Sequence, residues 1–544
     1  MVACDALIRR SARLTPCSSI MRIGLRLSCT LLLAVAAPAP LAQEAYDLVI
    51  AGGFVVDGTG TPGYRADVAV AGERIVAVGL VDPSRARRVI DAGGLWVTPG
   101  FIDPHSHAAG GLASAELSHA RPLLAQGITT VFVNPDGGGP VDLVAQRGQL
   151  LEHGLGVNVA QLVGHGSIRS TVIGRDDRAP TADELDRMRA LAREAMEQGA
   201  FGLSSGLFYA PGSYAEIGEV VELGKVVARY GGVYTSHIRD ESDYTIGLPA
   251  AIDEVIRVAR EAGMRGSVTH IKALGPRVWG TAANVIAQIE QARAAGVEVF
   301  ACQYPYTASA TGLSAALLDR WIQEGDREQM FARLRDPEVR RRVRREMVEN
   351  LDRRGGAERI QFRRHQADPS IEGRTLAAVA AERGQNPVET ALALIEEGGP
   401  GIVSFNMTDA DVELFMRQPW VMTCTDGGLV QMGSGVPHPR NYGTYPRKLR
   451  KYVIDDDVVG LSDAVRSMTY TPATLYRVAD RGIIRVGAIA DLAVIDPATV
   501  RDTATFTDPH QLSEGMVHVL VNGQLVIDGA RFTGALPGQV LSQR

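Results

Sequence analysis

The chain has 544 residues, 45% of them hydrophobic, and a formal net charge of −6 spread without long runs of one sign. Such a composition supplies a large buried core, and the length suits roughly two to four domains. It carries no basic stripe, which argues against nucleic acid as a partner. The one basic cluster, Arg340-Arg341-Arg342 with Arg344 and Arg345, lies in a Glu- and Arg-rich stretch and reads as a solvated helix face.

Residues 1–42 read as a targeting region. Met21-Arg22 and Arg26 give a positive start, and residues 27–37 an apolar stretch too short for the ~20 residues of a membrane span. Cleavage after Ala42 is expected, with Met21 as the natural start, and the mature chain would be periplasmic or secreted with no lasting membrane insertion. Of five cysteines, Cys302 and Cys424 would then remain, too few to staple so long a chain.

Residues 46–96 read as short strands bounded by glycines, and residues 481–544 show the same style around the turn Asn522-Gly523. These two ends are expected to form one small β-sandwich domain. Between them, 97–480 alternates strands and helices, the pattern of parallel βα units. Eight strands are predicted: Trp96–Ile102, Thr129–Val133, Asn158–Val163, Phe201–Ser204, Val233–Ser236, Gly266–Thr269, Glu298–Ala301 and Val421–Thr423. The spacing predicts a helix over Thr181–Gln198, opened by a Thr N-cap with Glu184 three residues on. Eight units make an α/β fold of the (β/α)8 TIM-barrel type, with a helical insertion at about 313–370 before the last strand.

Catalytic residues of such barrels sit at the C-terminal ends of strands. The first strand runs into Asp103-Pro104-His105-Ser106-His107, the fifth into His237, the sixth into His270-Ile271-Lys272, and the eighth into Thr425-Asp426. His105 and His107 are two apart, so both rings leave an extended chain on one side. Imidazoles with a carboxylate suit a divalent ion such as zinc. His165, after the third strand, is open to a place in the pocket or a structural one; His119, His153, His365, His510 and His518 read as structural or surface groups, and Cys424 as packing.

Pro99–His107, Gly127–Val131, Val163–Gly166, Gly202–Tyr209, Tyr304-Pro305-Tyr306, His438-Pro439-Arg440 and Tyr442–Arg447 together resemble the amidohydrolase superfamily, and within it the D-aminoacylases (N-acyl-D-amino-acid deacylases). The resemblance runs from about residue 46 to the C-terminus. It implies that His105, His107, His237 and His270 ligate one or two zinc ions, that Asp426 is the general base and acid, and that Lys272, Tyr209, Tyr304 and Arg440 lie in the substrate pocket. It further implies hydrolysis of the amide bond of small N-acyl-D-amino acids. Two positions depart from the family: Asp136 stands where a ligating cysteine is expected, and Gln303 where an acidic residue is usual. We read Asp136 as a ligand, with a turn-forming role as the alternative. A dipeptidase or cyclic-amide hydrolase on the same scaffold, or a barrel that binds without catalysing, remain the competing readings. The sequence leaves the oligomeric state open.

Overall fold

The computed structural model describes residues 46–478 and 480–543, so the predicted targeting region lies outside the described residues. Eight strands build the barrel: Phe101–Asp103, Ile128–Val133, Asn158–Gln161 continued by Val163–Gly164, Gly202–Gly206, Val233–His237, Gly266–Val268, Val299–Gln303 and Val421–Thr423. Every hydrogen-bonded neighbour among them runs parallel. The predicted first strand divides at Gly100. Trp96–Pro99 belongs to the β-domain, and only Phe101–Asp103 enters the barrel. At that crossing a Cβ on Gly100 would stand 2.3 Å from the Thr129 side chain, so no larger residue passes there.

Side chains close the barrel between its first and last strands. Thr425 donates its backbone N–H to Asp103 Oδ1 at 3.0 Å, and its hydroxyl to the other carboxylate oxygen. The Tyr445 hydroxyl sits 2.9 Å from both the Ile102 and the Thr423 carbonyl. Asp426 N–H then meets the His105 carbonyl at 3.0 Å, and His107 N–H the Gly427 carbonyl at 2.8 Å. The same contacts that seal the barrel therefore fix His105, His107 and Asp426 relative to one another.

Outside the strands, amphipathic helices such as Ala182–Glu197 and Leu248–Ala262 bury their apolar faces on the barrel. Thr181 and Glu184 make the reciprocal cap anticipated for the first of these, which satisfies two otherwise unpaired N–H groups. The two chain ends meet in one nine-stranded sheet, where Trp96–Pro99 pairs antiparallel with Leu492–Ile495. Its hairpin turns through Asn522 (φ 50) and Gly523 (φ 77), the left-handed pair a two-residue turn requires. The last strand, Val540–Leu541, leaves that sheet and pairs with Asn158–Gln161 of the barrel.

The insertion is larger than the sequence pattern indicated and is not purely helical. Its helices pack on a three-stranded antiparallel sheet of Ser309–Gly312, Gly401–Ser404 and Ile360–Arg364, around a core of its own that includes Leu317, Met347, Phe362 and Leu392. The sheet's middle strand, Gly401–Ser404, comes late in the chain, so the lobe closes well past residue 370. The basic cluster lies on the helix Pro337–Arg353 and is paired on the surface, Arg340 with Glu396 at 2.5 Å and Arg344 with Glu389 at 2.6 Å.

Lys448 is buried beside the eighth strand, donating to Thr423 Oγ1 at 2.9 Å and Ser467 Oγ at 2.7 Å. Burial among hydroxyls pulls its pKa from an ordinary 10.5 down to about 7. Between those values the unfolded chain holds a proton that the folded chain lacks, so folding stability falls as pH drops through that window and is flat below it. Thermal unfolding of Lys448→Met beside the wild type should show the wild type losing ground steadily from about pH 10 to about pH 7. A difference independent of pH would contradict a buried neutral lysine.

Candidate metal centre

The centre lies on the C-terminal rim of the barrel, in a cleft of about 820 Å³. The Asp136 carboxylate stands in its middle. Oδ1 is 3.4 Å from His105 Nε2, 3.7 Å from His237 Nδ1 and 3.6 Å from His270 Nε2, and Oδ2 is 3.3 Å from His107 Nε2. Asp426 Oδ1 adds contacts of 3.4 Å to His105 and 3.3 Å to His107. The ligand atoms fall into two groups that could each hold an ion: His105, His107, Asp136 and Asp426, and Asp136, His237 and His270. Asp136 belongs to both.

The backbone is built to deliver these groups. Asp136, His270 and Asp426 have φ of 56°, 38° and 47°, a left-handed region that non-glycine residues adopt at a cost. The 134–139 loop is held against the third and fourth strands. Ser204 Oγ donates to the Asn134 carbonyl at 2.7 Å and accepts from Gly137 N–H at 3.1 Å. Close approach needs glycines opposite: a Cβ on Gly206 would lie 2.2 Å from the Asp136 carbonyl, and one on Gly164 2.4 Å from those of Gly137 and Gly138. Cys302 Sγ accepts the His270 N–H at 3.2 Å, a packing and positioning role, and both cysteines are buried and free.

The donor set fits a divalent metal. Asp136 Oδ1, His105 Nε2 and His237 Nδ1 are buried without a hydrogen-bond partner, although they converge on one space. Buried polar groups in folded proteins are usually hydrogen-bonded, so orphans pointing at one another mark a ligand position. Electrostatics agree. Burial pushes the Asp136 carboxyl up, but His105 and the surrounding imidazoles outweigh it and hold it well below the carboxylate range. Burial opposes protonation of His105, yet Asp136 and Asp426 raise it well above an ordinary imidazole. A divalent ion bound here would compete with protons for these ligands, so its affinity should fall as pH falls.

The remaining expected residues separate into two kinds. Lys272, Tyr209, Tyr304 and Arg440 all line the cleft. Arg440 Nη1 is ion-paired to Asp426 Oδ2 at 2.8 Å, with its guanidinium 4.6 Å over the Tyr304 ring. The buried Tyr304 hydroxyl has no partner, whereas that of Tyr209 meets Thr311 Oγ1 at 3.1 Å. His165, in contrast, is not in the pocket. It opens the helix His165–Val172, is wholly buried, and bonds Glu219 at 2.8 Å in a network with Arg169. Its ring thus braces helices outside the strands. Gln303 ends the seventh strand, where its carbonyl accepts Cys424 N–H at 3.0 Å.

One residue the sequence reading missed is Glu241. It pairs with Lys272, lies 3.0 Å from His270 Nδ1 and 4.0 Å from His237 Nε2, and so stands behind two candidate ligands. A carboxylate in that place fixes ring orientation and leaves the far nitrogen free for metal. Its only sequence signal is a carboxylate four residues after a strand-end histidine. Asp103 was likewise visible only as a neighbour of His105; it is the buried brace between first and last strands.

Fold and site together define a (β/α)8 hydrolase scaffold with a carboxylate-centred site for one or two divalent ions at the strand ends. The sequence profile of the amidohydrolase family matches residues 88–527, and the chain belongs to that family. It is 35% identical over 521 residues to the N-acyl-D-glutamate deacylase of Alcaligenes xylosoxydans xylosoxydans, covering 92% of this chain and 97% of the relative. The D-aminoacylase of the same organism is 33% identical, over 92% of this chain and 98% of its own length. Among solved structures, the N-acyl-D-glutamate deacylase of Bordetella bronchiseptica, complexed with zinc and a phosphonate mimic of the tetrahedral intermediate, superposes with a TM-score of 0.77 at 34% identity, covering 92% of this chain and all of that one.

Replacing Asp136 by Ala should weaken zinc binding by more than the roughly 10–100-fold that outer-shell changes cost, read as metal retained against a chelator. Asp136→Cys should restore retention, since thiolate is also a zinc ligand. Equal retention in wild type and Asp136→Ala would remove Asp136 from the ligand set.

Proposed function

We propose that the protein is a metal-dependent hydrolase that cleaves the amide bond of N-acyl-D-amino acids. The observation that carries this is the Asp426 carboxylate at 3.3–3.4 Å from two candidate ligands on one oxygen and 2.8 Å from Arg440 on the other. A proton-transfer group thus sits between the metal position and a cation suited to a substrate carboxylate. Deacylation and the D configuration are supported by relatives at 33–35% identity that span nearly the whole chain.

A divalent ion in this centre supplies Lewis-acid activation of water and polarisation of the scissile carbonyl. The chain's residues do the rest. Asp426 accepts the proton from the attacking water on the oxygen facing His105 and His107, then hands it to the leaving amine. Its carboxyl is suited to the first step: burial raises its pKa, but Arg440 and His270 outweigh that and keep it ionised. Arg440, Lys272 and the free Tyr304 hydroxyl orient the α-carboxylate of the substrate, the guanidinium through a two-pronged hydrogen bond. Glu241 holds His270 in place through its Nδ1 at 3.0 Å.

Among competing readings, a cyclic-amide hydrolase bridged by a lysine finds no lysine on the fourth strand. Ser204 there pins the 134–139 loop, and Ser205 bonds Ser236 at 2.9 Å and Tyr234 at 2.7 Å. The protein is further proposed to act after export, which the charged and apolar pattern of residues 21–37 supports. Among the described residues no helix is long and apolar enough to cross a membrane.

Asp426→Asn keeps the shape and removes the base. Turnover of an N-acetyl-D-amino acid should drop by about 10²–10⁴-fold while metal content stays at the wild-type level. An undiminished rate with metal in place would end the role given to Asp426.

A further inference from the structure

A second cavity, of about 540 Å³, lies in the inserted lobe. None of the candidate metal ligands lines it; Arg327, Arg363, Arg364 and His365 do. Arg363 also lines the metal cleft, so one side chain forms part of the wall between the two spaces. Three guanidinium groups there meet one carboxylate, Glu397, which is already paired with Arg383 at 3.4 Å.

The backbone assembles this cluster. The strand Ile360–Arg364 loses register against Gly401–Ser404 between Phe362 and Arg364. Such a bulge breaks the alternation of side chains, and the consecutive Arg363 and Arg364 both border the cavity. The Arg363 carbonyl accepts Val436 N–H at 2.7 Å, and His365 donates its backbone N–H to Glu372 at 2.9 Å, which together fix the segment. Gly398, Gly399 and Gly401 complete the lining and contribute no side chains to fill it. A Cβ on Gly401 would stand 3.1 Å from Arg363 Nε, so the glycine makes room for the guanidinium.

The polar groups of this cavity lack partners. His365 is 2% exposed, and neither of its ring nitrogens has a hydrogen-bond partner. Buried polar side chains are rarely left in that state. Among the described residues, Arg363 and Arg364 make no side-chain hydrogen bond or ion pair, and Arg327 only stacks on the Phe331 ring at 5.0 Å. The result is a local excess of positive charge, which a phosphate group of about −2 would offset. Guanidinium forks match phosphate oxygens in two-point contact, and an imidazole N–H adds a further donor. We propose that the lobe cavity is a phosphate-binding site, separate from the metal centre, formed by Arg327, Arg363, Arg364 and His365. The phosphate is either free or carried as a monoester by a small organic molecule; the group recognised is the same.

The test is calorimetric titration of the zinc-loaded protein with inorganic phosphate, glycerol 3-phosphate and succinate at fixed ionic strength, beside Arg364→Met, Arg364→Lys and His365→Phe. Neither position lines the metal cleft, so phosphate bound to zinc contributes equally to every protein. Arg364→Met should weaken the remaining phosphate binding by about 10-fold or more, the scale of one hydrogen bond to a charged group, and Arg364→Lys should recover part of it. His365→Phe keeps a ring in place, removes both nitrogens and should weaken phosphate in the same direction. Arg364 is exposed, so its variants test the site even where His365→Phe does not fold. Tighter binding of the monoester than of inorganic phosphate assigns the site to a phosphorylated small molecule, and equal or weaker binding assigns it to free phosphate. Identical phosphate binding by the wild type and Arg364→Met would overturn the inference. Succinate bound as tightly as phosphate, with the same loss in Arg364→Met, would overturn it too. Binding alone is read, so the result is independent of the deacylase reading.

Discussion

One carboxylate facing four imidazoles organises the mouth of this barrel. Asp136 reaches nitrogen atoms of His105, His107, His237 and His270, which come from three different strand ends. Such a concentration of buried polar groups would be unfavourable unless they bound cations. The surrounding structure serves to keep it in place. Left-handed backbone at Asp136, His270 and Asp426, glycines at 164 and 206, and the Ser204 clasp each store or tolerate strain at the site. The barrel's own closure, through Asp103, Thr425 and Tyr445, sets the positions of the His105–His107 pair and of Asp426. Stability and site geometry are in this respect the same set of contacts.

The centre is supported in layers of opposite charge. The imidazoles surround Asp136; Glu241 lies behind His237 and His270; Lys272 lies behind Glu241. On the other side, Asp426 contacts His105 and His107 and is backed by Arg440, which rests on Tyr304. Alternation of sign lets many ionisable groups share a small volume without a net local charge that burial would forbid. Among the described residues lining the cleft, Arg354 and Arg363 of the lobe have no carboxylate partner and stand outside this alternation.

Much of this was legible in the sequence because barrel chemistry follows strand ends. The alternation of strands and helices gave the architecture, and His105, His107, His237, His270 and Asp426 each follow a predicted strand. Asp136 stood out as a departure from the cysteine expected of the family. What was hidden shares a physical reason. The lobe's middle strand, Gly401–Ser404, is separated from its partners by charged helices, so local pattern shows helix where the fold has a sheet. Glu241 acts from the loop after the fifth strand, where side-chain direction follows no period. His165 misled for the converse reason: it follows a strand, but the chain enters a helix at that residue and turns the ring toward Glu219.

The most direct test of the account is anomalous diffraction at the zinc edge from crystals of the zinc-loaded protein. The account predicts an ion coordinated by the Asp136 carboxylate together with the His105–His107 pair, the His237–His270 pair, or both. An ion held by these histidines with the Asp136 carboxylate turned away, or no ion at the strand ends at all, would contradict it.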